Sequence, residues 1–304
     1  MSVGQAMEKR LLWLHEGPRK LRPGRDRAIA RRLEGSIGAT RFDEDLPGLD
    51  PERDLIIVVG GDGTLHHAIQ YIASVVGVDC AWPRMAFVPS GTANDTARAL
   101  AALTGRDHSS IEQLQQAVRR GDAGTAGDLG QVDFADQTRY FVNFAALGSP
   151  SDWVRIAESR WMRPIKRFGG LICYSLCSLA VILRKPTVRL TTEVCGEVDD
   201  EHVFAWFAAN ARYLGGGLDL GEDVRLDSGL LGLLRVRAGT RRSLVGLLTD
   251  VRRGRGPRPT IAEAATVRVP AGADLVLDGE LVPLSRTTET VLGVSVRHAQ
   301  IRWL

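Results

Sequence analysis

Glycine-rich stretches that also carry acidic or amide side chains recur four times in this chain of 304 residues. They are Gly60–Thr64 (GGDGT), Gly91–Asp95 (GTAND), Gly215–Gly229 and Asp278–Glu280 (DGE). Glycine lets a backbone approach a ligand closely, and carboxylates suit a metal ion or a hydroxyl that must be oriented. The combination favours metal-assisted phosphate chemistry, although each stretch alone is also typical of a turn.

The first stretch lies between a strand pattern and a helix pattern. Five apolar residues at 55–59 are typical of a strand buried on both faces, and apolar residues at 65, 68, 69 and 72 have helical spacing. The free N–H groups and the positive dipole end at a helix start bind anions. Asp62 would repel a bare phosphate, so it indicates a bridging metal ion or an oriented hydroxyl.

The second stretch repeats this arrangement. A short apolar run at Met85–Val88 precedes it, and a helix with Ala97 and Leu100 on one face follows, with Asn94 or Asp95 as its N-cap. A further helix is predicted from a capping box at Ser109 and Glu112. Alternating strands and helices predict a parallel sheet with ligands at the carboxyl ends of its strands.

From residue 125 the pattern changes to mainly β. We expect a hairpin formed by 129–134 and 139–146, and further strands at 187–194, 202–209, 230–237, 266–269, 274–277 and 290–297. Only two helices are expected there, at about 161–183 and 243–252. The domain boundary is predicted near residues 124–130, where glycine is frequent.

The composition is that of an ordinary globular protein, with 44% apolar and 25% charged residues and a net charge of +3. The four cysteines, Cys80, Cys173, Cys177 and Cys195, lack metal-ligand spacing. The N-terminal residues lack a signal-peptide core, and the longest apolar run, Leu171–Leu183, is too short to span a bilayer. We therefore expect a soluble cytoplasmic protein, and we expect no nucleic-acid binding because no recognisable motif accompanies the basic clusters.

Taken together and in this order, the four stretches resemble the diacylglycerol kinase catalytic family, which includes bacterial soluble lipid kinases and the sphingosine and ceramide kinases. The resemblance spans roughly residues 54–282 and includes Asp128–Gly130, Tyr140–Asn143 and Lys166–Tyr174. It implies an α/β nucleotide-binding domain at 1–127 and a mainly β, sandwich-like lipid-substrate domain at 128–290. Residues 291–304 could return to the first domain, as in several members.

The resemblance also implies ATP- and Mg²⁺-dependent transfer of a phosphoryl group to a lipid hydroxyl, of a diacylglycerol or a sphingoid base. Glu280 would be the general base, with Asp278 beside it, and Asp62 and Asp95 would place the active-site Mg²⁺. The nucleotide-binding residues would be Gly61, Asp62, Gly63, Thr64, Leu65, His66, Gly91, Thr92, Asn94 and Asp95.

Three positions depart from the family's pattern. His66 and His67 replace an Asn-Glu pair, and His15–Arg19 replaces an Asn-Pro-x-x-Gly turn. Ser228 replaces an aspartate that would bind a structural Mg²⁺ together with backbone carbonyls, here those of Arg225 and Leu230. A neutral hydroxyl is a poor ligand for this cation, so we predict that the structural metal is weak or absent.

A lipid kinase must reach its substrate at a membrane interface. Basic and aromatic residues at Arg155–Arg167 precede the apolar run and suit peripheral membrane contact, although a solvated helix is the alternative. A second basic cluster, Arg252–Arg258, is expected to be a surface loop. An NAD kinase-like enzyme and a catalytically impaired lipid- or nucleotide-binding relative remain alternative functions, and the oligomeric state, including a dimer, is open.

Overall fold

The computed structural model describes residues 11–14, 25–42, 49–90, 95–160, 162, 170–215, 218–252 and 255–304. The predicted positions 15–19, 91–94 and 163–169 lie outside the described residues. The chain folds as two units, one formed by residues 1–127 and 299–304 and the other by residues 128–298.

A parallel sheet forms the centre of the first unit. Its strands are β1 (Leu11–Leu14), β2 (Thr40–Phe42), β3 (Leu55–Gly60) and β4 (Arg84–Pro89), in the order β2-β1-β3-β4. Trp303, near the end of β17 (Thr290–Trp303), pairs with Met85 in the same direction. Strands β3 and β4 are buried over almost their whole length, which explains their continuous apolar sequences.

The helices of this unit are α1 (Arg25–Ile37), α2 (Asp62–Val76), α3 (Asp95–Thr104) and α4 (Ile111–Arg120). The predicted capping box was wrong by one residue. Ser110 is the N-cap of α4 and accepts a hydrogen bond from the Gln113 N–H, whereas Ser109 donates its hydroxyl to Asp107. The Ser109 hydroxyl is thus bonded to Asp107 and does not cap the helix.

The second unit is mainly β. Its elements are β5 (Thr125–Phe134, of which 125–127 belong to the first unit), β6 (Gln137–Phe141), β7 (Phe144–Gly148), α5 (Ser149–Glu158), α6 (Gly170–Arg184), β8 (Val188–Val194), β9 (Glu197–Ala209), β10 (Tyr213–Leu214), β11 (Leu218–Asp219), β12 (Leu231–Arg237), α7 (Arg241–Arg252), β13 (Thr260–Ala262), β14 (Ala264–Val269), β15 (Asp274–Leu277), β16 (Glu280–Pro283) and β17 up to residue 298.

The strands of this unit pair in the order β16-β15-β7-β9-β8-β14-β17. The long strand β9 also pairs with β12, and β5 pairs with both β6 and β17. Trp206 of β9 and Phe141 of β6 are fully buried in the main apolar core between these strands. The mainly β second half is therefore as the sequence predicted.

One helix of the second unit was not predicted. The first turn of α5, Ser-Pro-Ser-Asp, has no apolar residue with helical spacing, and its apolar side chains pack inward only from Trp153 onward. Helix α6, Gly170–Arg184, lies within the range predicted for a helix at about 161–183, of which residues 163–169 lie outside the described residues. Among the helices of the described residues, none combines the length and the apolar content needed to cross a bilayer.

His108 is a buried titratable group of the first unit. Its Nε2 lies 2.9 Å from the Thr104 hydroxyl. Burial lowers the pKa of its imidazole from 6.5 to about 4, and the charge of Arg106 acts in the same direction. The neutral imidazole is therefore the form that the fold stabilises.

We expect this group to make stability depend on pH. Because the folded pKa lies below the unfolded one, the contribution is complete above about pH 6.5 and is lost as the pH falls towards 4. Between pH 8 and pH 5 the free energy of unfolding should fall by about 2 kcal/mol through this residue. Urea titrations of wild type and His108→Gln measure it, and an equal fall in both proteins would contradict the assignment.

Candidate active site

The GGDGT stretch joins the end of β3 to the start of α2. A Cβ atom on Gly60 would lie 2.4 Å from the Thr64 Oγ1, so only glycine lets Thr64 fold back over the strand end. Gly61 is the N-cap of α2 in an extended conformation and offers no side-chain acceptor to the first turn. The N–H groups of this turn and the positive end of the helix dipole are thus presented to an anion.

Two helix N-termini meet beside the ends of β3 and β4. These strands are parallel neighbours, and the Ser90 N–H donates to the Gly60 carbonyl at 2.7 Å. Helix α2 begins at Asp62 and α3 at Asp95. The Thr96 hydroxyl donates to Asp62 Oδ1 at 2.6 Å, which joins the two helix starts and fixes the orientation of the Asp62 carboxylate.

The acidic side chains at this point differ in exposure. Asp95 and Thr96 are buried, whereas Asp62 is partly exposed. Arg98 Nη1 lies 3.4 Å from Asp95 Oδ1. Mg²⁺ in phosphate-transferring proteins is commonly held by one or two carboxylates together with the substrate phosphates, so Asp62 and Asp95 fit an active-site Mg²⁺.

The other predicted nucleotide-binding residues lie in different places. Gly63 and Thr64 belong to the first turn of α2. Leu65 is a core residue, and its N–H donates to the Gly61 carbonyl at 3.1 Å, so neither its side chain nor its amide is offered to a ligand. His66 is buried edge-on against the ring of His67, which is exposed. Gly91, Thr92 and Asn94 lie outside the described residues.

Asp278 and Gly279 form the two-residue turn between β15 and β16. Both have positive φ angles, 51° and 91°, as a type I′ turn requires. The Asp278 carboxylate is buried and accepts the N–H groups of Val142 at 2.9 Å, Asn143 at 2.8 Å and Phe144 at 3.1 Å. This aspartate therefore anchors the turn to the segment that separates β6 from β7.

Glu280 has a different environment from Asp278. It is the first residue of β16, pairs with Leu277 across the hairpin, and is partly exposed. Within the part of the chain that the structure describes, its carboxylate takes part in no hydrogen bond or ion pair. Of the two acids in the DGE motif, Glu280 is the one that remains available to a ligand.

Asn210 supports the same segment and was not predicted from the sequence. It is fully buried, and its Nδ2 donates to the carbonyls of Val142 at 3.0 Å and Asp128 at 3.1 Å. Its backbone N–H donates to the Asn143 carbonyl at 2.8 Å. Asn210 thus holds the residues whose N–H groups bind Asp278. No motif marks it, whereas Asp128 and Asn143 both lie in stretches that carry the family resemblance.

Asp128 connects this network to the loop that contains Ser228. Its carboxylate is fully buried, accepts the Gly229 N–H at 2.6 Å and lies 2.8 Å from Nδ1 of the exposed His298. Three residues that make these contacts were not predicted from the sequence: Thr96, Asn210 and His298. Each meets its partner only through tertiary folding, which a local sequence pattern does not indicate.

Ser228 closes its own loop. The hydroxyl lies 3.0 Å from the Arg225 carbonyl and 3.4 Å from the Leu230 carbonyl, positioned to donate to them, and it accepts the Leu230 N–H at 3.2 Å. The neighbouring Asp227 carboxylate is held by two hydrogen bonds, 2.8 and 2.9 Å, from the Arg225 guanidinium.

These donors do not fit a structural Mg²⁺. The cation prefers anionic oxygen, but the Ser228 hydroxyl is neutral, and both oxygens of the adjacent Asp227 carboxylate are already bonded to the Arg225 guanidinium. Among the described residues, no group of three His, Cys, Asp or Glu side chains is arranged to hold a metal. The loop is stabilised by protein donors instead.

Replacing Ser228 tests this conclusion. In the absence of nucleotide, Mg²⁺ should leave the unfolding temperature of the wild type unchanged but raise that of Ser228→Asp by about 2–4 °C, because the new carboxylate completes an oxygen site. The neutral variant Ser228→Asn is the matched control. A Mg²⁺-dependent rise in the wild type that is absent from Ser228→Asn would contradict the conclusion.

Two family models match the chain in succession. The diacylglycerol kinase catalytic domain matches residues 29–126, and the YegS C-terminal NAD kinase beta sandwich-like domain matches residues 158–297. The prediction of an α/β domain followed by a mainly β, sandwich-like domain is thereby confirmed.

Similar proteins carry matching names. The diacylglycerol kinase of Staphylococcus carnosus (strain TM300) is 26% identical over 242 residues, which is 78% of this chain and 73% of that protein. The diacylglycerol kinase of Staphylococcus aureus (strain JH9) is 26% identical over 232 residues, 75% of this chain and 68% of that protein.

A crystal structure of a diacylglycerol kinase from Bacillus anthracis str. Sterne has the same fold, with a TM-score of 0.68 and 16% identity over 99% of this chain and 98% of that chain. The chain thus contains a region that matches the diacylglycerol kinase catalytic domain, followed by one that matches the YegS C-terminal domain, and it is similar over most of its length to bacterial diacylglycerol kinases.

Proposed function

We propose that the protein is an ATP- and Mg²⁺-dependent kinase that phosphorylates a hydroxyl of a lipid such as diacylglycerol or a sphingoid base. The observation that carries the proposal is the hydrogen bond from Thr96 to Asp62. It joins two helix N-termini, so that amide donors and carboxylates occur together at the carboxyl ends of β3 and β4. Phosphoryl transfer needs both kinds of group.

On the first unit, the N–H groups of Gly61, Gly63 and Thr64 would donate to phosphate oxygens of ATP. Asp62 and Asp95 would hold Mg²⁺, which supplies positive charge to the phosphates when bound. Thr96 would keep the Asp62 carboxylate in place by its hydrogen bond. Catalysis by such a site is chiefly positioning and neutralisation of charge.

On the second unit, Glu280 would act as the general base. Its carboxylate would take the proton of the acceptor hydroxyl while the acceptor oxygen bonds to the γ-phosphorus. The bond from that phosphorus to the bridging oxygen then breaks, and ADP leaves. Asp278 would be a positioning residue, because its three N–H bonds hold the turn from which Glu280 projects.

A second candidate is an NAD kinase-like enzyme, favoured by the description of the family model that matches residues 158–297. It would use the same phosphate site with a soluble acceptor. A catalytically impaired relative would bind nucleotide or lipid without transfer. The names of the curated relatives and the match of the first domain favour a lipid acceptor over both.

Variants at the two proposed acids test the function. Wild type should transfer phosphate from labelled ATP to diacylglycerol or sphingosine in mixed micelles. Glu280→Gln should lower the rate about 10²–10⁴-fold as a lost general base, and Asp62→Asn about 10²–10³-fold as a lost charge contact. The exposed acid Glu263 provides the matched control, and Glu263→Gln should keep the wild-type rate.

The unfolding temperatures of the variants distinguish a catalytic residue from a positioning residue. Glu280→Gln should unfold at the wild-type temperature, whereas Asp278→Asn should lose activity and stability together, because a buried acceptor of three N–H groups is weakened. Equal transfer by wild type and Glu280→Gln would remove the proposed base. Transfer to NAD but to no lipid would favour the second candidate, and nucleotide binding without any transfer would indicate the impaired relative.

A further inference from the structure

Helix α6 exposes an apolar stripe. Leu176, Leu179 and Leu183 lie on one face, at spacings of three and four residues, and are 43%, 48% and 54% exposed. The opposite face is buried, with Cys177 and Val181 in the interior. The helix is therefore anchored by one side and presents large apolar side chains on the other, which marks an interaction surface rather than a scattered exposed leucine.

Basic side chains surround the end of this stripe. Arg184 and Lys185 are exposed directly after Leu183. At the start of α7, Arg241 and Arg242 are exposed, and the Arg241 Nε donates to the Leu183 carbonyl at 3.0 Å. Among the described residues, none of these four basic side chains takes part in an ion pair.

Helix α7 extends the same surface. It packs against α6, and its Val245, one turn after Arg241, is 46% exposed. We name the combined surface the leucine–arginine face. It consists of Leu176, Leu179, Leu183 and Val245 with the basic residues Arg184, Lys185, Arg241 and Arg242.

We propose that the leucine–arginine face docks on an anionic lipid bilayer. Apolar side chains on one side of a helix bury themselves at the boundary between headgroups and acyl chains, and arginines beside them bind headgroup phosphates. Negative surface potential of the bilayer complements the single sign of charge on this face. A protein surface of ordinary composition carries both signs of charge and does not match the uniformly positive charge of this face.

The charge on the face argues against a second copy of the chain as the occupant. In a symmetric dimer the same patch lies on both sides, so that arginine and lysine would meet arginine and lysine. Like charges brought together across an apolar contact oppose association. A bilayer carries the opposite charge and needs no complementary shape.

The face differs from the segment that the sequence indicated for membrane contact. Arg155 of that segment is used within the fold, since its guanidinium contacts the buried carboxylate of Asp274. Residues 163–169 lie outside the described residues.

The docking proposal deepens the proposed function, on which it rests for the identity of the substrate as a lipid. Docking itself requires neither ATP nor phosphate transfer.

Sedimentation with vesicles, without nucleotide, tests the proposal. Wild type should bind vesicles that contain phosphatidylglycerol, bind phosphatidylcholine vesicles much less, and lose binding as salt is raised. Leu179→Asp and Leu183→Asp should each lower the partition coefficient about tenfold or more, and Arg241→Ser and Arg242→Ser about fivefold each. Circular dichroism and the unfolding temperature confirm that the exposed variants fold.

Matched controls lie elsewhere on the second unit. Val198 of β9 is 62% exposed and Arg139 of β6 is exposed, so Val198→Asp and Arg139→Ser should bind vesicles like the wild type. Equal binding by Leu179→Asp and wild type, or equal binding to both kinds of vesicle, would overturn the proposal. So would a wild-type dimer that Leu179→Asp converts to a monomer in light scattering, because a second copy would then cover the face.

A kinase assay with a short-chain, water-soluble diacylglycerol separates this proposal from the proposed function. Leu179→Asp should phosphorylate that acceptor at the wild-type rate, since the acceptor is not in a bilayer, and should lose activity only on vesicles. Failure of the wild type to phosphorylate any acceptor would remove the proposed function, whereas failure to bind anionic vesicles would remove the docking face alone.

Discussion

Backbone N–H groups without a partner in their own helix or sheet are the constraint on which both units depend. Such groups need an acceptor when they are withdrawn from water. At the start of α2 the glycine N-cap supplies none, so the donors are left for a ligand. At residues 142–144 the three donors are taken by the carboxylate of Asp278. The same chemistry therefore produces a binding loop in one unit and an anchored turn in the other.

The aspartate carboxylates likewise differ in whether protein donors already bind them. Asp128 is withdrawn from solvent and held by a backbone N–H and the imidazole of His298, and Asp227 is held by the guanidinium of Arg225. At the Ser228 loop, protein donors therefore bind the carboxylates that a cation could otherwise bind. Asp62 keeps part of its surface exposed, and the Thr96 hydroxyl orients its carboxylate. This exposure leaves the Asp62 carboxylate accessible to a metal ion and a phosphate.

Local sequence patterns were sufficient for much of the fold. Apolar runs and turn residues, which act between neighbours in the chain, indicate the buried strands β3 and β4, the hairpin of β5 and β6, and the Asp-Gly turn between β15 and β16. Helix α5 was missed because its first turn, Ser-Pro-Ser-Asp, has no apolar residue with helical spacing. The role of Asp278 could not be predicted, since its carboxylate binds the N–H of Val142 across 136 positions of sequence. Thr96 and Asn210 were missed for the same reason.

In the proposed function, the phosphates bind at the joined starts of α2 and α3. A crystal structure with Mg²⁺ and a non-hydrolysable ATP analogue measures this directly. We expect phosphate oxygens at about 3 Å from the amide nitrogens of Gly61, Gly63 or Thr64, with the metal ion on Asp62 or Asp95. Phosphates bound away from the first turn of α2, with no metal ion on Asp62 or Asp95, would contradict this placement.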